Sequence, residues 1–209
     1  MERQGRISMF MLPAAGSLFL AGVVLRGPFA TPTIGAAAFV ERATSPRYGT
    51  CYLLITAAAA LSVLGYIALR ERLGGRLASA AAMASVVGLV FLVPLFGVSG
   101  VAFPALGRAY AAGDHAAVAA AADAFGSPAT VVLLGVTALN VLGHILFAAA
   151  AWRARWIPRI ACLPLGAATA MMCVPTVYPV EIAGCAAFLV AGLAIALAAQ
   201  RPAAELATV

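Results

Sequence analysis

The stretch Tyr178-Pro179-Val180-Glu181-Ile182 opens the last apolar run of the chain, Val180–Ala199, in which Glu181 is the sole charged residue. A helix of about 20 apolar residues is as long as the hydrocarbon core of a bilayer is thick, so the run reads as a membrane-spanning helix. A carboxyl group at the edge of hydrocarbon is costly to keep and marks a functional candidate by default.

The same pattern recurs upstream. Apolar runs at Ile7–Leu25, Tyr52–Leu69, Leu77–Val98, Ala129–Ala151 and Ile157–Val174 join Val180–Ala199. The expectation is an all-α polytopic membrane bundle of about six transmembrane helices, with 1–209 forming one transmembrane domain. Of the 209 residues, 64% are hydrophobic and 10% charged, which excludes an ordinary soluble domain. Met1–Arg6 followed by Ile7–Leu25 has the outline of a signal peptide. The run is long and lacks a small-x-small cleavage site before Arg26, so it reads as the first span.

All 13 basic residues are Arg and sit at the ends of apolar runs. No basic stripe interleaves with stacking aromatics, so nucleic acid is not an expected partner. Orientation follows from the arginine bias. With the N-terminus inside, Arg3, Arg6, Arg70, Arg72, Arg76, Arg153, Arg155, Arg159 and Arg201 face the cytoplasm. Arg26, Arg42, Arg47 and Arg108 face outward. Both termini are therefore expected in the cytoplasm of a bacterial cell, with the chain integral to the plasma membrane. Trp152 and Trp156 would form an inner aromatic belt. The outer side receives Glu41, Asp114, His115, Asp123 and Glu181.

Two segments match. Leu61-Ser62-Val63-Leu64-Gly65-Tyr66-Ile67 aligns with Leu139-Asn140-Val141-Leu142-Gly143-His144-Ile145, and an acid four residues before Ser-Pro precedes each, at Glu41 and at Asp123. Val93-Pro94 and Val174-Pro175 suggest a further copy. The implied unit is a helical hairpin repeated three times, which places Glu41, Asp123 and Glu181 around one outer mouth.

Thr137, Asn140 and His144 fall on a single stripe of the fourth span. They read either as helix–helix hydrogen bonding or as the polar lining of a central cavity. For Glu181, the helix dipole favours the anion and burial favours the neutral acid. The aromatics Phe29, Phe39, Tyr48, Tyr52, Phe96, Phe103 and Tyr178 lie at the same level. They serve either as an interfacial belt with core packing or as cation–π partners for positive charge. Cys51, Cys162, Cys173 and Cys185 form no CxxC pair and read as packing residues. Residues Tyr110 to Ala124 read as an amphipathic helix over the mouth. No P-loop, Rossmann fingerprint, HExxH, Gly-x-Ser-x-Gly or DDxxD pattern occurs, and no metal or cofactor is expected.

Pro179-Val180-Glu181 at the head of a membrane helix resembles the Pro-x-Glu motif of the small integral-membrane carotenoid cyclases of bacteria. The size, aromatics and scattered acids are similar to those of the membrane-bound terpene cyclases of meroterpenoid and indole-terpenoid pathways. Where the carotenoid enzymes continue with a second acid, this chain has Ile182. The resemblance implies a protonation-initiated, metal-independent cyclisation of a lipophilic prenylated substrate drawn from the lipid bilayer. Glu181 would be the general acid, with Glu41 or Asp123 as its hydrogen-bond partner or final proton acceptor. Phe29, Phe39, Tyr48, Tyr52, Phe96, Phe103, Tyr178 and Asn140 would line the substrate site. The alternatives are a proton-coupled transporter or channel-like protein for a small apolar or cationic solute, with its site near Asn140, and a non-catalytic membrane subunit.

Overall fold

A computed structural model describes residues 8–30, 36–124, 128–154, 156–174 and 177–200. Every regular element among them is a helix: α1 Met11–Arg26, α2 Ala36–Ala43, α3 Arg47–Leu73, α4 Gly75–Ala111, α5 His115–Ala124, α6 Pro128–Arg153, α7 Arg159–Met172 and α8 Tyr178–Gln200. Four are long and apolar enough to cross a membrane: α3, α4, residues Val131–Arg153 of α6, and α8. The apolar helices α1 and α7 are shorter, with 16 and 14 residues. At about 1.5 Å per residue they reach roughly 24 and 21 Å.

The helix ends follow local chemistry. Gly74 and Gly75, with φ of 65° and 75°, reverse the chain between α3 and α4 in a conformation L side chains rarely adopt. Gly113, with φ of 97°, separates α4 from α5. The expected fifth span starts later than Ile157, because Pro158 holds an extended backbone ahead of α7 (ψ 128°). The expected third span ends at Val98, yet α4 continues to Ala111 through Pro94 and Pro104. Packing on α2 carries that extension. Phe103 meets Phe39 edge to face at 5.3 Å, and Gly107 lies against Ala43 and Thr44. With α5 following, most of the expected outer connection 99–128 is therefore helix. The α3 start also lies upstream of Tyr52, at Arg47, with Tyr48 buried in its first turn.

The six apolar helices close a ring in the order α1, α3, α4, α6, α7, α8 and back to α1. Its middle is filled by rings from α3, α6 and α8. Tyr66 packs on His144 at 5.0 Å, on Phe147 at 5.5 Å and on Phe188 at 6.4 Å. At the end bearing the Gly74–Gly75 turn, the Arg72 guanidinium stacks over Trp156 at 4.9 Å and Arg159 over Trp152 at 5.4 Å. Arginine and tryptophan together suit an interfacial layer.

Membrane helices gain little from apolar burial against one another, so close approach of small residues carries much of their packing. One such close contact is α4 on α6. A Cβ at Gly143 would stand 2.6 Å from the backbone nitrogen of Ser85, and one at Gly88 would stand 2.7 Å from Asn140 Cβ. Gly135, on the same helix α6, has open space where its Cβ would be. Gly143→Val should therefore destabilise the protein by about 1–3 kcal/mol through forced separation of the two helices. Gly135→Ala should be neutral or slightly stabilising. Thermal unfolding of the two variants in detergent checks the pair, and equal behaviour would contradict this packing.

Candidate functional site

α1 ends where α8 begins, because the two pack as antiparallel neighbours. Arg26 occupies the last turn of α1 and Glu181 the first turn of α8. A cation at a helix C-terminus and an anion at a helix N-terminus are each favoured by the macrodipole, so both helix ends stabilise the charges that meet there. Arg26 Nη2 donates to Glu181 Oε2, and the side chains are only 7% and 5% exposed. Arg26 Nε also donates to Gly27 O at 3.2 Å, and the guanidinium lies 5.2 Å from the Phe29 ring centre. The Tyr178 hydroxyl sits 3.5 Å from the carbonyls of Val23 and Val24. From α3, Cys51 and Tyr52 lie within electrostatic reach of Arg26. The Tyr52 ring is 5.0 Å from that of Tyr48.

A cavity of about 280 Å³ opens on Arg26. Leu25 and Arg26 of α1, Glu41 and Arg42 of α2, and Ser45, Arg47 and Tyr48 at the head of α3 line it. Arg42 Nη1 donates to Pro28 O, which ties α2 to the end of α1. The Ser45 hydroxyl accepts from the Arg47 amide at 3.4 Å. Three guanidiniums and one carboxylate thus share one polar cavity, and one of those guanidiniums, Arg26, is paired with Glu181, which does not line it.

A second polar group lies in the middle of the bundle. His144 Nδ1 is 2.9 Å from Asn140 O, a carbonyl, so Nδ1 carries the proton and donates it. Nε2 is then the acceptor for the Tyr66 hydroxyl at 2.5 Å. Asn140 Oδ1 and Ser85 Oγ are buried with no hydrogen-bond partner among the described residues.

The candidate residues distribute unevenly. Glu181 and Glu41 both come to Arg26, the first by direct pairing and the second across the cavity. Asp123 is exposed on α5, and no described contact joins it to either. Of the aromatics, Phe29, Tyr48, Tyr52 and Tyr178 surround the ion pair. Phe39 and Phe103 instead hold α2 to α4, and Phe96 is half-buried on α4. Asn140 belongs to the central group. Val174-Pro175 and the Ser127-Pro128 punctuation fall partly outside the described residues. Sequence reasoning missed Arg26, Arg42 and Arg47 as site residues, having assigned them only to orientation. The available signal was their shared side with Glu181.

Compared with known proteins, the chain matches no family model, no curated protein and no solved structure.

Breaking a buried ion pair from one side leaves an uncompensated charge, whereas an apolar replacement of both partners is often tolerated. Arg26→Met or Glu181→Leu alone should cost about 3–5 kcal/mol, and the double variant clearly less than either. Denaturation of the three variants in detergent measures this. Additive losses would show that the two side chains do not interact.

Proposed function

We propose that this chain is an integral membrane protein that binds a small carboxylate-bearing solute at the Arg26 cavity and carries it across the bilayer together with a proton. The observation that carries the reading is the buried Arg26–Glu181 pair, whose arginine lines a cavity that also presents Arg42 and Arg47. Guanidinium groups match carboxylates in a planar, two-pronged geometry. A solute carboxylate that reaches Arg26 competes with Glu181 for the same donors. Once displaced, the Glu181 carboxylate is a buried, unpaired charge, and it relieves that cost by taking a proton from water in the cavity. One negative charge and one proton then enter together, and the site keeps its net charge.

Protonation-initiated cyclisation places a different demand on Glu181. Its general acid must be neutral before the substrate arrives, and a salt bridge to Arg26 supplies the anion instead. The cavity on Arg26 is also polar, which suits a charged solute better than a prenyl chain. For these reasons proton coupling is preferred to cyclisation.

In this reading α1 and α7 cross the membrane with the four longer helices, giving six spans arranged as the hairpins α1/α3, α4/α6 and α7/α8. The ring order of the helices supports that grouping. So does the meeting of Tyr66 with His144, which hold matching positions in the two similar heptapeptides. Both termini lie in the cytoplasm, the membrane is the plasma membrane, and the Arg26 cavity faces outward, as the arginine bias directs.

Binding that takes up a proton strengthens as pH falls, by linkage. Titration of the purified protein with a panel of short carboxylic and amino acids, in buffers of different ionisation enthalpy, should give uptake of about one proton per bound solute. Affinity should rise as pH is lowered. Glu181→Gln should still bind but without proton uptake or pH dependence. Unchanged proton uptake in Glu181→Gln would remove that residue from the coupling.

A further inference from the structure

We infer that the solute is a zwitterion, a small amino acid carrying an ammonium group beside its carboxylate, and that Glu41 is the residue that recognises the ammonium. This rests on the reading of the Arg26 cavity as a carboxylate site and specifies its substrate class.

Arg26 is bonded to Glu181 and to Gly27 O, and Arg42 to Pro28 O. Glu41 precedes Arg42 on α2 and faces the same cavity as three guanidiniums, yet it forms a salt bridge with no described residue. Its carboxylate is exposed. A site built for a simple anion gains nothing from an acid on its wall, since like charges at short range repel. A tetrahedral phosphate would meet that repulsion with more than one charge. A simple cation would face Arg26, Arg42 and Arg47. A solute with both charges side by side satisfies both walls, its carboxylate on the arginines and its ammonium on Glu41.

Leu25 and Tyr48 are the apolar surfaces of the cavity. About 280 Å³ lies at the low end of small-ligand sites, which run from about 300 to 1,000 Å³. That leaves room for a short aliphatic side chain against Leu25 and Tyr48. Glu41 then discriminates by a charge-assisted hydrogen bond that a ligand lacking the ammonium cannot make.

The test is calorimetric titration of the full-length protein in detergent. The probes are alanine and valine, their deaminated counterparts propionate and isovalerate, ethylamine, and inorganic phosphate. Wild type should bind the amino acids at least about tenfold more tightly than the matching carboxylates, in keeping with a charge-assisted hydrogen bond. Ethylamine and phosphate should bind more weakly still. Glu41→Gln should lose most of that preference, binding alanine and valine at least about tenfold less tightly while propionate and isovalerate bind as well as before or better. Its thermal unfolding should match wild type, because the residue is exposed and bonded to no described side chain.

Equal binding of propionate and alanine by wild type, or tighter binding of phosphate, would overturn the zwitterion and leave the carboxylate site standing. An undiminished amino-acid preference in Glu41→Gln would overturn the role of Glu41. Failure of wild type to bind any of the acids would overturn both the zwitterion and the carboxylate reading beneath it.

Discussion

A guanidinium and a carboxylate held together where two antiparallel apolar helices meet set the terms for this molecule. Neither Arg26 nor Glu181 could be so buried alone, since an isolated charge in such surroundings shifts its protonation or drags in water. Together they are stabilised by each other and by the two helix dipoles, and they fix the register of α1 on α8. Gly16 on Leu189 and Gly192 on Pro13 and Leu12 continue that contact along the same two helices. The polar cavity depends on this arrangement, because Arg26 reaches it only while its helix end is held against α8.

Away from that end the bundle depends on contacts of a different kind. α4 and α6 approach through glycines. The ring centre is closed by Tyr66, His144, Phe147 and Phe188, with one hydrogen bond from tyrosine to imidazole and one from imidazole to the Asn140 carbonyl. These bonds satisfy every nitrogen of a fully buried histidine, which is what an apolar interior requires. The tyrosine bond also links α3 to α6 across the ring. In the proposed function, the Arg26 end exchanges charge with a solute while the middle stays packed.

Much of this architecture was legible in the residues. The apolar runs and their Arg boundaries mark the helices, and a lone acid in a twenty-residue apolar run singles out Glu181. The stripe from Asn140 to His144 marks the face of α6 that turns inward. What was not legible had physical causes. Arg26 stands 155 residues from Glu181, and no local pattern records which charges at one membrane face will touch. The reach of α4 through two prolines is decided by Phe103 and Gly107 packing on α2, a tertiary contact that outweighs the local preference for a break. Glu41 and Asp123 share a sequence context, yet only Glu41 is carried to the cavity, because α2 is tied to α1 through Arg42.

The ionisation state of Glu181 is the point on which the functional account turns, and infrared difference spectroscopy reads it directly. In the solute-free protein at neutral pH, wild type minus Glu181→Gln should show carboxylate stretches and no protonated-carboxyl C=O band. Adding a bound amino acid should make that C=O band appear in wild type alone. A protonated-carboxyl band assigned to Glu181 before any solute is added would contradict the account, and would return this residue to the role of a neutral acid awaiting a lipophilic substrate.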